Sequence, residues 1–206
     1  LQPQFGHYRA GSYSSIESLL KEAKNLGVKY VFIWGFSTEN WKREDEERKA
    51  IFDMLLKGVE RFMKFAKENK MNFKHIGRKD RLPKNLIKSL DKLEKETSNY
   101  MEFNVLLCLD YGGRDEIVRA VNKVIKSKRK EMSEDDFTEF LDTSGMPDPD
   151  LIIRTSGEYR LSGFMPFQSI YAELYFTKVY FPEFGVLELD EAIKEYGRRK
   201  RRFGGG

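Results

Sequence analysis

The chain has 206 residues, 40% of them apolar and 14% aromatic, which suits one globular domain with a buried core and excludes a disordered polypeptide. Its 37 basic and 33 acidic residues leave a net charge of +4 with the signs interspersed, the balance of a solvated Lys/Glu surface rather than of a general polyanion binder. The single cysteine, Cys108, excludes an internal disulfide and a cysteine zinc cluster; with no leader-like start and no apolar run of ~18 residues, a soluble protein of a reducing cytosol is expected.

In chain order, "SSIESLLKEAKNLG" spaces Ile16, Leu19, Leu20, Ala23 and Leu26 as one helical face, with Ser14 or Ser15 as N-cap and Gly27 past the end. "VKYVFIWGF" is β-branched, aromatic and of strand length. From about Glu46 a long amphipathic helix carries Ile51, Met54, Leu55, Val59, Phe62 and Phe65 on one stripe. "NFKHIG" then predicts a short strand, "LPKNLIKSLDKLEKET" a helix, and "FNVLLCLDYGG" a nearly continuous apolar strand in which Cys108 acts as a small core residue. "RDEIVRAVNKVIKS" and "SEDDFTEFLD" predict helices, "DLIIRT" a strand, "AELYFTKVYF" the last strand and "LDEAIKEYGRRKRRF" the closing helix.

Helices alternating with strands that are apolar throughout imply a parallel sheet covered on both faces. The expected fold is α/β: a single-domain layer sandwich with a mostly parallel central sheet flanked by helices. In such sheets ligands bind at the carboxyl ends of strands. Three loops there, "GFSTENWKR", "DYGGRDE" and "RTSGEYRLSG", are rich in backbone and side-chain donors for phosphate oxygens, although Gly and Ser at strand ends are also plain turn chemistry. Arginine suits a two-pronged grip on a diphosphate. No G-x-x-x-x-G-K-[ST], G-x-G-x-x-G or serine nucleophile elbow occurs. Of the two histidines, His75 in "NFKHIG" reads as a packing residue. Glu173, among apolar neighbours in "IYAELYF", needs an arginine partner or a cation. The basic cluster Arg198 to Arg202 is a solvated tail or a polyanion contact, and no nucleic-acid module accompanies it.

Five blocks, "FSTENWKR", "DYGGRDEIV", "PDLIIRTSGEYRLSGF", "QSIYAELYF" and "RRKRRFGG", resemble in order and spacing the signature blocks of cis-prenyltransferases of the undecaprenyl diphosphate synthase type, over nearly the whole chain. The wording "RLSGF" looks more like archaeal members. The resemblance implies a transferase that adds isopentenyl diphosphate, with Z geometry, to an allylic diphosphate primer of the farnesyl or geranylgeranyl type, yielding a long-chain polyprenyl diphosphate. It further implies a Mg²⁺-dependent homodimer, cytoplasmic and at most peripheral to the membrane that receives the hydrophobic product, with no nucleic-acid partner. By the same resemblance Arg154, Arg160 and Ser162 bind the diphosphate of the isopentenyl substrate, and Glu173 handles the metal. Phe36, Ser37, Asn40, Trp41 and Arg43 belong to the catalytic loop, with Ser37, Asn40 and Arg43 in catalytic roles and Phe36, Trp41 and Glu47 in substrate binding. His7 matches the catalytic-site histidine, and Arg202 and Gly204 match an Arg-x-Gly element that reaches across the dimer. Apolar residues of "YVFIWGF", "IFDMLLKGVERFM" and "FNVLLCL" are expected to line a product tunnel or form ordinary core, and Phe103, where the resemblance places a smaller aliphatic residue at the tunnel floor, is expected to shorten the product.

The match departs from the family in three places. The block D-G-N-x-R-[WY] does not precede "FGHYRAG", so the residues as they stand are expected to omit an N-terminal segment and, alone, to have little activity. "GHYRAG" carries one extra residue, and "GFMPFQ" replaces an aromatic, leucine-rich run, with Pro166 expected to alter the start of the last helix. Two alternatives carry different expectations: a non-catalytic subunit of a heteromeric prenyltransferase, against which "RTSGEYRLSG" and "FSTENW" argue, and a basic nucleic-acid-binding domain, which rests on charge alone.

Overall fold

The structure, a computed structural model, describes residues 11–199. They form α1 (Gly11–Asn25), β1 (Tyr30–Ser37), α2 (Asp45–Asn69), β2 (Asn72–Ile76), α3 (Lys84–Thr97), β3 (Asn104–Tyr111), α4 (Gly113–Ser127), α5 (Glu134–Thr138), β4 (Leu151–Arg154), β5 (Glu173–Phe176) and α6 (Val186–Arg198), with 3₁₀ turns at Thr38–Lys42 and Phe181–Glu183. Every strand pair is parallel, as continuous apolar strands require. The chain gathers into two compact units, and strands pair within each: a three-stranded sheet ordered β1-β3-β2 and a two-stranded sheet of β4 and β5.

The unit of residues 28–147 with 163–165 is organised around β3, all eight of whose residues are buried. Ile76, Leu106, Cys108, Tyr111 and Met165 form one cluster, against which Trp34 and Phe164 stack with ring centroids 5.0 Å apart. Phe62 of α2 stacks on Phe73 of β2 at 5.6 Å, and Leu86, Leu90 and Leu93 of α3 are fully buried. β2 has a strand partner on one side, and its other edge is closed by helix side chains. Phe73 N–H donates to Thr97 Oγ1 (3.0 Å) and His75 N–H to Glu94 Oε1 (2.6 Å), so α3 satisfies donors that would otherwise invite another strand. His75 is a packing residue: its Nε2 hydrogen-bonds Leu109 O at 2.8 Å, and burial pulls its pKa down. Cys108 is buried, and burial pushes its thiol pKa up. Glu116, also buried, accepts from the Tyr111 hydroxyl (2.6 Å) and from Asp142 N–H (2.9 Å).

The other unit comprises residues 148–162, 166–199 and the described N-terminal residues up to Gly27. Leu20 and Ala23 are buried as the periodicity of α1 predicts, and α1 packs against α6. Leu26 is exposed, because the helix ends at Asn25 and Gly27, at φ 81°, turns the chain away.

Four local expectations change. α1 begins at Gly11, so Ser14 and Ser15 lie inside the helix and do not cap it. α5 stops after five residues, although Ser133 and Asp136 exchange the hydrogen bonds of a capping box. The last strand is four residues long, because Thr177 O and Val179 O turn to accept N–H bonds from Gly157 and Ser156 instead of extending the ladder. Pro166 lies in a run of turns well before α6, whose start it does not touch.

Two stability outcomes are expected. Phe103 is completely buried, so Phe103→Ala should cost about 3–5 kcal/mol in chemical denaturation. Burial opposes ionisation of Asp115, but hydrogen bonds from Arg119 and Arg78 hold its pKa below the ordinary value. A depressed carboxyl stabilises fully above its unfolded pKa of about 3.9, and that contribution is lost as pH falls through the folded value. The stability advantage of the native protein over Asp115→Asn should therefore be present at neutral pH and vanish in acid, as thermal unfolding across that range will measure.

Candidate active site

In the three-stranded unit, Ser37 lies opposite Tyr111 and Ile76 opposite Cys108, so the loops after β1, β2 and β3 leave from one carboxyl edge. The end of β1, the loop after it and the first turn of α2 carry Phe36, Ser37, Asn40, Trp41, Arg43 and Glu47 of the expected site residues. Phe36 is buried, with its ring edge-on to Trp41 (5.7 Å) and tilted on Phe52 (5.0 Å). Ser37 N–H donates to Asn40 Oδ1 at 2.8 Å, which closes the 3₁₀ turn. Arg43 and Glu47 form an ion pair one helical turn apart, and Arg48 donates to the carbonyls of Trp41 and Arg43 and pairs with Asp45. The acidic first turn of α2, Asp45, Glu46 and Glu47, complements its helix dipole.

The three loops are joined by Asp110, a residue that the strand pattern marked only as the end of β3. Its carboxylate is completely buried and accepts Trp41 Nε1 at 2.8 Å, Arg81 Nε at 2.8 Å and Arg81 Nη2. Its own carbonyl accepts Arg78 N–H at 3.1 Å. Two glycines permit this convergence. A Cβ on Gly77, where φ is 119°, would lie 2.4 Å from Leu109 O, and one on Gly112 would lie 2.1 Å from Thr38 Oγ1. The loop "GRKDRLP", which supplies Arg81, escaped the reading of strand ends; the glycine followed by basic residues after "NFKHI" was its signal.

In the two-stranded unit, Arg154 ends β4, and its Nε is buried with no hydrogen-bond partner among the described residues. The following loop is anchored by Ser156 N–H to Val179 O (2.8 Å) and Gly157 N–H to Thr177 O (2.9 Å), with Ser156 and Gly157 both left-handed at φ 70° and 68°. Arg160 is exposed and pairs with Glu158; Ser162 is exposed at φ 51°. Glu173, first residue of β5, takes the arginine partner that its apolar surroundings require, accepting Arg199 Nη1 at 2.9 Å, while Arg199 also bonds Leu174 O at 3.0 Å. Glu173 and Glu195 together raise the Arg199 pKa.

An open pocket of about 680 Å³ runs along β5 and α6, lined by Leu174, Phe176, Leu187, Asp190 and Lys194 among others, and none of the expected site residues lines it. Among the described residues no group of three or more His, Cys, Asp or Glu is placed to hold a metal ion, and Glu173 is already engaged by arginine, so these residues do not make up a divalent-cation site by themselves. No described helix is long and apolar enough to cross a membrane. His7, Arg202 and Gly204 lie outside the described residues, as do Lys200 and Arg201 of the basic cluster.

The undecaprenyl diphosphate synthase family model matches residues 1–204. The isoprenyl transferase of Fusobacterium nucleatum is 41% identical over 205 residues, covering 100% of this chain and 88% of that protein. That of Aquifex aeolicus is 38% identical over 203 residues, covering 97% and 85%. Among solved structures, lavandulyl diphosphate synthase from Lavandula x intermedia, in complex with dimethylallyl diphosphate, superposes with a TM-score of 0.91 at 30% identity, covering 97% of this chain and 88% of that one. A probable undecaprenyl diphosphate synthase from Campylobacter jejuni gives 0.87 at 31% identity, covering 95% and 93%. With a single model matched almost end to end and relatives this similar, the chain belongs to the undecaprenyl diphosphate synthase family of prenyltransferases.

Proposed function

We propose that this cis-prenyltransferase condenses isopentenyl diphosphate, in Z geometry, onto an allylic diphosphate primer of the farnesyl or geranylgeranyl type to build a polyprenyl diphosphate. In each round the allylic C–O bond breaks and diphosphate leaves, a C–C bond forms to the terminal carbon of isopentenyl diphosphate, and a proton lost from its C2 restores a double bond. One family model spanning residues 1–204 supports treating the chain as one prenyltransferase domain.

The observation that carries the diphosphate assignment is the buried Arg154 Nε without a partner among the described residues. A buried donor left unbonded costs about 1–3 kcal/mol, and an anionic oxygen removes that cost while gaining a charge-assisted bond. Arg160, on the exposed loop four residues beyond Ser156, exchanges its partner Glu158 for the same anion, and Ser162 adds a hydroxyl. In the other unit, the roles assigned to Ser37, Asn40 and Arg43, with Phe36, Trp41 and Glu47 contacting substrate, draw support from a turn that is already ordered and from the tight packing of Phe36 and Trp41. His7 completes the catalytic set, and Arg202 and Gly204 the substrate-binding set, of a homodimer whose product passes to a membrane.

Prenyltransferases of this class generally need a divalent metal, and Mg²⁺ is the ion proposed. When bound it supplies charge for the departing diphosphate. Glu173 is its proposed contact and would first exchange Arg199.

The test is incubation of purified full-length protein with radiolabelled isopentenyl diphosphate, several allylic primers and Mg²⁺, followed by separation of the products. Label should enter a polyprenyl chain; no incorporation with any primer overturns the assignment. In the same assay Arg154→Ala should raise KM for isopentenyl diphosphate by about 10- to 100-fold with a smaller change in kcat, the signature of lost uniform binding. An unchanged KM would remove Arg154 from the diphosphate site.

A further inference from the structure

We propose that Asp110 and Arg81 are positioning residues for the loop from Ser37 to Arg43, acting through Trp41; this rests on reading that loop as catalytic. A buried carboxylate and an arginine fork satisfy each other without a third party. Here the carboxylate has a third donor: Asp110 Oδ1 also accepts the Trp41 indole N–H at 2.8 Å. The arginine is shared in the same way. Arg81 lies over the Trp41 ring at 5.3 Å from its centroid, and Arg48 lies at 5.6 Å while donating to the carbonyls of Trp41 and Arg43. Phe36 and Phe52 close on the indole at 5.7 and 5.6 Å.

The indole is therefore gripped at its N–H and over its face by groups from the end of β3, the loop after β2 and the start of α2. Asn40 precedes it and Arg43 follows closely, so the position of both is inherited from the indole. Asp110 sits at φ 50°, a left-handed conformation that only asparagine, aspartate and glycine adopt readily. A misplacement of about 1 Å in a group that orients reacting atoms can cost about 100-fold in rate.

The experiment combines kinetics with ¹H–¹⁵N spectra of the indole groups in the full-length protein, which has two tryptophans in this chain, Trp34 and Trp41. The variants are Asp110→Ala, Arg81→Gln and Asp110→Asn. Asp110→Ala and Arg81→Gln should lower kcat by about 100-fold with KM for isopentenyl diphosphate changed by about threefold or less. The Trp41 indole resonance should move, while that of Trp34, which donates to Tyr111 O at 3.2 Å, stays dispersed and reports an intact fold. Asp110→Asn keeps a carbonyl acceptor and tolerates the left-handed backbone, so it should recover most of the lost kcat. In folded Asp110→Ala or Arg81→Gln, native kcat, a loss confined to KM, or an unmoved Trp41 resonance overturns the proposal. If Asp110→Ala does not fold, Arg81→Gln, whose side chain is about a third exposed, decides by the same criteria. If the native protein incorporates no isopentenyl diphosphate, the functional reading falls and the indole resonance alone decides whether Asp110 and Arg81 hold Trp41.

Discussion

A carboxylate with no exposure to solvent is the constraint around which one half of this molecule is arranged. Removing an ionised Asp110 from water costs several kcal/mol, and the structure offsets this only by bringing strong donors to it from elsewhere in the chain. Those donors come from the loops after β1 and β2, Trp41 and Arg81, so the ionic requirement of one side chain draws three strand ends together. The close approach in turn demands glycine at positions 77 and 112, where any side chain would collide with the Leu109 carbonyl or with Thr38. The phosphate-friendly composition of these loops is thus only part of their purpose, because several of their polar groups hold one another in place.

The unit built on β4 and β5 distributes its charges differently. Glu173 at the start of β5 and Arg199 just past α6 neutralise each other, and Arg160 meets Glu158 within its loop. Arg154 Nε is left without a partner among the described residues although it is buried. On the proposed reading, this open donor is the one that a substrate diphosphate fills. The bonds from Ser156 and Gly157 to the segment after β5 hold that loop in shape.

Elements with a strong period were legible. The stripe on α2 buried Ile51, Val59, Phe62 and Phe65, and the apolar run of β3 became a strand buried along its whole length. His75, read as packing, and Glu173, read as needing an arginine or a cation, both behave as local polarity dictates. The caps and ends were harder to read. Ser14 and Ser15 have cap chemistry, yet the helix starts earlier; "AELYFTKVYF" has strand composition, yet its second half gives its carbonyls to a loop. Glu116 near the start of α4 and Asp110 near the end of β3 are charged residues that the sequence reading did not single out, and both are buried. Their burial depends on Tyr111 and Asp142, and on Trp41 and Arg81, partners that no local window contains.

Sequence by itself determined the family, the α/β alternation and the parallel pairing, because ordered motif blocks and side-chain periodicity are properties of neighbours along the chain. It also named the residues of the loop after β1 and of the segment after β4. The tertiary structure alone decided which charges are spent on each other and which remain open: Arg81 on Asp110, Arg43 on Glu47, Arg199 on Glu173, and Arg154 Nε on nothing among the described residues. Pairing energies depend on distance and desolvation in space, and for Asp110 those were fixed by residues 29 and 69 positions away along the chain.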